Sequence, residues 1–106
     1  MVLKTGKPAS SYFSIGTTPI TAENYTTANN ATTTIPTTAQ TFVNNSGSKA
    51  AIYVLAPSSK TITMVDMSIG SPIPFEENTS ISIANHKVYV TNGRIANGGG
   101  VKVTLN

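Results

Sequence analysis

The chain has no cysteine, no tryptophan and a single histidine, and only 10% of its residues are charged. Each shortage removes a class of explanation. Without cysteine there is neither a disulfide framework nor a thiol nucleophile, and a structural zinc site would have to be built around His86 alone. Without tryptophan, the broadest aromatic platform for stacking on a ligand is missing. No apolar stretch approaches the length of a membrane span. Lys4 and Lys7 imitate the basic start of a secretory signal, but no apolar run follows them directly, so the expectation is a chain made in the cytoplasm. The basic residues Lys4, Lys7, Lys49, Lys60, Lys87, Arg94 and Lys102 give a formal net charge of +3. They are scattered rather than interleaved with aromatics, which argues against a nucleic-acid partner.

The shortage of sequence itself matters too. At 106 residues the chain allows one domain, and a domain of this size buries only about 60–65% of its unfolded surface. Small scaffolds commonly supplement a thin core with disulfides, a metal or oligomerisation. With the first two removed, a homo-oligomer (dimer or trimer) or docking on a larger protein is expected.

What is present falls into two parts. Between Ser14 and Gln40 the chain is mostly threonine, alanine, asparagine and isoleucine, with Glu23 as its only charge. Such residues compete with backbone hydrogen bonds or favour extended chain, and Pro19 and Pro36 interrupt helix and central strand alike. Residues 1–38 are therefore expected to form an extended arm. Tyr12, Phe13, Ile15, Ile20, Tyr25 and Ile35 are spaced along it as anchors for a partner, which a plain spacer would not need.

Residues 39–106 read as short strands separated by turn signals. The candidates are Ala39 to Asn44, Lys49 to Ala56, Ser59 to Ile69, Thr79 to Ala84, His86 to Thr91 and Gly100 to Leu105. This spacing predicts an all-β fold, a small antiparallel β-sandwich of jelly-roll or Ig-like type. Two irregularities stand out. The alternation of Ile62 and Met64 slips to Val65, Met67 and Ile69, which predicts a bulge or a sheet-switching bend near Val65. The stretch Ala50 to Leu55 is apolar on both faces, which predicts a central strand or one covered on its outer side.

Chemistry is sparse. His86 sits at a strand start with no second histidine, and reads as structural. Glu76 and Glu77 are adjacent in extended chain, so their carboxylates point to opposite sides and cannot act as a pair. Asp66 is an acid inside a strand, either exposed or needing a lysine partner. Gly98-Gly99-Gly100 lacks the Lys-Ser/Thr and helix of a phosphate loop and reads as a hairpin turn. Asn24, Asn30, Asn44 and Asn78 each open an N-x-Ser/Thr sequence in a chain crowded with such residues. No enzyme, cofactor, metal site or small-molecule substrate is expected, and no membrane partner.

The stretch TFVNNSGSKAAIYV, the strand around TITMVDM and the segment PIPFEENTSISIANHKVYV together resemble small β-sandwich structural proteins of tailed-phage virions. The resemblance covers Thr41 to Val90 and departs from the usual pattern at Glu76 to Asn78, where a glycine commonly turns the chain. It implies a bacteriophage virion protein, a capsid decoration or cement protein bound to the major capsid protein, and hence a location on the capsid surface. The alternative is a receptor- or glycan-binding module of a phage fibre or tail appendage. Tyr53 and Tyr89 are the strand tyrosines that would supply an interface on the β-domain.

Overall fold

The structure, a computed structural model, describes residues 14–21, 23, 39–83 and 85–106. It contains eight strands: β1 (Ser14–Gly16), β2 (Ala39–Val43), β3 (Tyr53–Pro57), β4 (Ile62–Asp66), β5 (Ser71–Pro72), β6 (Phe75–Glu77), β7 (His86–Thr91) and β8 (Gly100–Leu105). They form two antiparallel sheets of four, ordered β1-β3-β7-β6 and β2-β8-β4-β5. The described residues contain no helix, so the all-β expectation holds. The chain changes sheet at every connection except the β4–β5 and β6–β7 hairpins. Two facing antiparallel sheets, four strands in each among the described residues, make a small β-sandwich.

Period-two alternation dictates which face closes. In β8 Val101, Val103 and Leu105 are buried while Lys102 is exposed, and in β4 Ile62 and Met64 are buried while Thr63 is exposed. These side chains meet Ile15, Ile52, Val54 and Ala56 from the other sheet in one cluster, with Phe42, Ile73 and Ile95. Fully burying a side chain of this kind stabilises by about 1.5–3 kcal/mol, so this inter-sheet layer is the principal source of stability.

The first sheet is also covered on its outer face. Leu55 and Val88, opposite one another in the β3–β7 ladder, pack with Ile20 and Ile83 in a second cluster that Tyr53 and Ile81 border. The double-sided apolarity of Ala50 to Leu55 follows from this: Val54 faces the other sheet, Leu55 faces Ile20. The described part of the expected arm is thus part of the sandwich. β1 pairs with β3, Ile15 lying opposite Val54. Ile15 and Ile20 are 0% and 2% exposed.

Other expectations are corrected. Of the expected strand from Thr79 to Ala84, the described residues 79–83 form no strand; Ile83 makes an isolated bridge to His86, and Asn85 turns the chain at φ 61°. There is no bulge at Val65, because β4 runs in unbroken register with β8 from Ile62–Leu105 to Asp66–Val101. The glycine run is not a hairpin turn, since β7 and β8 belong to different sheets. Strands β5 and β6 escape the sequence pattern because Pro72 and Pro74 flank or occupy them, and proline within a run argues against a strand except at an edge. Both are edges.

One device recurs in the loops. Asn44, Asp66 and Asn78 each accept, through Oδ1, both the backbone N–H and the hydroxyl of a serine two residues on: Ser46, Ser68 and Ser80. These are Asx turns, in which the side chain stands in for a backbone carbonyl. Two of the four N-x-Ser/Thr sequences, at Asn44 and Asn78, are accounted for in this way. At Asp66 the serine contacts hold the carboxyl below the usual carboxylate range, the Ser68 hydroxyl contributing most and its N–H next. A depressed folded-state pKa contributes stability above the unfolded value, and that contribution disappears as pH falls through the folded one. Ser68→Ala is expected to move the Asp66 carboxyl titration, followed by NMR, upward, and to narrow its stability gap from the parent protein as the solution is acidified. An unmoved titration would remove Ser68 as the cause.

Candidate interaction surface

Asp66 closes a turn instead of pairing with a lysine, and the salt bridge among the described residues joins Lys87 to Glu77 at 3.9 Å on the surface. His86 is buried at the start of β7, its N–H donating to the Ile83 carbonyl at 3.1 Å. No group of three or more His, Asp or Glu side chains able to hold a metal occurs among the described residues. The surface features that call for an explanation are instead apolar contacts and open backbone.

The slip in alternation after Met64 marks the first of them. With no bulge to turn the chain, Val65 and Met67 project from the outer face of the second sheet, and Ile69 caps the β4–β5 hairpin. Met67 donates its N–H to the Gly100 carbonyl, and a Cβ placed on Gly100 would lie 3.5 Å from Met67 Cγ. Gly100 stands opposite Val43 in the β2–β8 ladder. Val43, Gly100 and Met67 therefore form a row from β2 across β8 to the residue that follows β4, with Ile69 beyond it. Val43, Met67 and Ile69 are 45%, 50% and 70% exposed. A glycine in the middle of the row keeps it flat.

The second feature is an edge. Proteins blunt exposed sheet edges by shortness, charge or proline. β1 has three residues, β5 has two and contains Pro72, and β6 carries Glu76 and Glu77. β2 has five residues, AQTFV, with no charge and no proline, and it pairs on one side with β8. Its Val43 ends in the apolar row.

No protein-family model matches this chain, and comparison with curated proteins and with solved structures found no match.

A third feature lies on the same side of the sandwich. The Ile73–Pro74 link between β5 and β6 is too short to cross the molecule, so these two edges share one side, and the β1 and β2 edges share the other. Among the described residues, two buried polar side-chain atoms lack a hydrogen-bond partner: Ser14 Oγ on β1 and Gln40 Oε1 on β2. Unsatisfied buried polar atoms are rare and call for an explanation, and here both fall on the strands of one lateral edge.

The expected site residues divide accordingly. Ile15 and Ile20 are not partner anchors, because both are buried within their own chain; their spacing reflects β1 and the cover over Leu55. Tyr12, Phe13, Tyr25 and Ile35 lie outside the described residues. Tyr89 is half-buried, its ring meeting Phe75 edge to face at 5.5 Å, and Tyr53 borders the second cluster. Neither tyrosine stands clear as a stacking platform. Val43, Met67 and Ile69 do not stand out in the sequence as an interface, although the broken alternation after Met64 is a signal for two of them.

Proposed function

We propose that this protein is a non-enzymatic virion structural protein of the capsid decoration or cement type, which binds and stabilises a shell of major capsid protein. The observation that carries the reading is the β2 edge from Gln40 to Val43, which has no charge, no proline and no second strand beside it among the described residues, and which ends in the flat apolar row of Val43, Gly100 and Met67. An open strand offers backbone hydrogen bonds to a strand of the partner, a mode of recognition that does not depend on charge. The adjoining apolar row adds burial, and repetition over a symmetric shell turns weak single contacts into firm attachment. The resemblance of Thr41 to Val90 to small virion β-sandwich proteins supports a shell as the partner. In this reading Tyr12, Phe13, Tyr25 and Ile35 are contacts contributed by the arm, and the buried Ile15 and Ile20 hold its base to the sandwich.

The deciding measurement compares particles with and without the protein for survival of heat or chelator. Cement is expected to raise the temperature at which shells open while leaving adsorption to cells unchanged. Shells equally stable in both forms, with adsorption lost, would sink the proposal in favour of receptor binding. At the residue level, the Val43→Lys, Met67→Lys double variant is expected to bind shells about 10–100-fold more weakly, since two half-exposed side chains contribute about 1–3 kcal/mol when covered. Unchanged binding would move the contact elsewhere.

A further inference from the structure

The chain contains two Asn-Gly dipeptides, Asn92-Gly93 and Asn97-Gly98, and the fold treats them differently. In such a dipeptide the glycine nitrogen can approach the preceding side-chain carbonyl closely, because no Cβ stands in the way. At Asn97-Gly98 both reacting groups are occupied. The Gly98 N–H donates to the Asn44 carbonyl at 2.6 Å, and Asn97 Oδ1 accepts the Gly47 N–H at 2.9 Å. Asn44 is itself fully buried and bonded on every side, so this clamp has a rigid base.

Asn92 and Gly93 are both exposed. The loop is held by the Asn92 N–H on the Pro74 carbonyl at 3.0 Å and by Thr91 Oγ1 on the Gly93 carbonyl at 2.7 Å. Neither bond uses the Asn92 side chain or the Gly93 N–H, and no other hydrogen bond among the described residues engages them.

We propose that Asn92-Gly93 is a site of spontaneous covalent modification, and that Asn97-Gly98 is protected from the same reaction by the Asn44 clamp. The Gly93 nitrogen attacks Asn92 Cγ and forms a new C–N bond. The side-chain nitrogen leaves as ammonia, carrying the proton that the Gly93 nitrogen gives up, and a five-membered succinimide remains. Water then opens the ring at one carbonyl or the other, giving aspartate or isoaspartate at position 92. Nothing is oxidised or reduced. Either product removes one unit from the net positive charge. Isoaspartate also adds a methylene to the main chain beside Thr91, whose Oγ1 accepts the Ile52 N–H at 3.0 Å and so ties the end of β7 to the chain entering β3. The modification therefore records the age of the molecule at a point where it also loosens the first sheet.

The test is incubation of the folded full-length protein at mildly alkaline pH, followed by tryptic mapping with mass spectrometry. Cleavage at Lys87, Arg94 and Lys102 places the two dipeptides in separate peptides. The peptide carrying Asn92 is expected to gain about one dalton at a rate at least roughly ten-fold that of the Asn97 peptide, asparagine being among the thermolabile residues. In denaturant the two rates should converge, because the clamp is gone. Gly93→Ala is expected to slow the reaction at 92 by about ten-fold; a Cβ there meets nothing within 4 Å, so the variant should fold. Equal rates in the folded protein, faster conversion at Asn97, or an Asn92 that stays inert until unfolded would each overturn the proposal.

Discussion

Replacing Asn44 with alanine is expected to lower the free energy of unfolding by about 3–5 kcal/mol, a large share of the roughly 5–15 kcal/mol typical of a domain. Asn44 is 0% exposed. Its Nδ2 donates to the carbonyls of Ser48, Ile95 and Ala96 at 3.0, 2.9 and 3.3 Å, and its Oδ1 accepts the N–H and hydroxyl of Ser46. One amide thus joins the loop after β2 to the loop before β8. Removing it strips a partner from the buried Ile95 carbonyl, which keeps the Ala50 N–H, and from part-buried groups of Ser46, Ser48 and Ala96, at up to about 1–3 kcal/mol for each group left unpaired, besides leaving a void at a fully buried position. Asn44→Asp is expected to do at least as much harm, because a carboxylate would face three carbonyl oxygens. The control is Asn78→Ala, which breaks the same Asx-turn geometry at the surface and should lose only about 0.5–1.5 kcal/mol. Urea unfolding at matched slope measures both. Comparable losses at 44 and 78 would mean that the turn, not the buried network, carries the effect.

Much of the sandwich can be read from alternation, and the failures share a physical origin. β2, β7 and β8 announce themselves because one side of each strand is apolar and the other polar, and turn residues bound them. β5 and β6 do not, since an edge strand can carry Pro72 or two glutamates without losing ladder bonds, and the pattern rules are calibrated on strands with two neighbours. Thr79 to Ala84 misleads in the opposite direction. Its isoleucines alternate as in a strand, yet Ile81 and Ile83 are spent covering Leu55 and Val88 from a loop. Alternation reports which side of a segment meets apolar surface; it does not report whether a neighbouring strand bonds its backbone. The same limit explains the interaction surface. Val65 and Met67 break the inward rhythm, and a bulge would have hidden them; unbroken register leaves them on the outer face, Val65 half-buried and Met67 exposed. That β2 is an edge among the described strands could not be read at all, because edge position is a property of strand order.

The division between arm and domain is where stability and partner binding make opposite forecasts, and Ile15 separates them. Ile15→Ala is expected to destabilise the isolated protein by about 2–5 kcal/mol, the range for emptying a buried isoleucine. The side chain is fully buried in the inter-sheet cluster, opposite Val54 on the central strand β3. Ile20→Ala should destabilise by a similar amount through the other face, because Ile20 packs with Leu55, Ile83 and Val88 in the second cluster. An anchor reserved for a partner would behave otherwise: its removal would leave the free protein as stable as before and weaken only its attachment to shells. A variant truncated to begin at Thr37 cannot make this distinction, since it deletes β1 along with the rest of the arm, opens the edge of β3 and uncovers Leu55. Loss of shell binding by that variant would follow from unfolding alone. The point substitutions avoid the confusion when stability and shell binding are measured side by side, at a temperature where each variant remains folded. The expected pattern is a lowered urea midpoint for Ile15→Ala and Ile20→Ala with shell binding retained. The reverse pattern would return both residues to the role of partner anchors and detach β1 from the core.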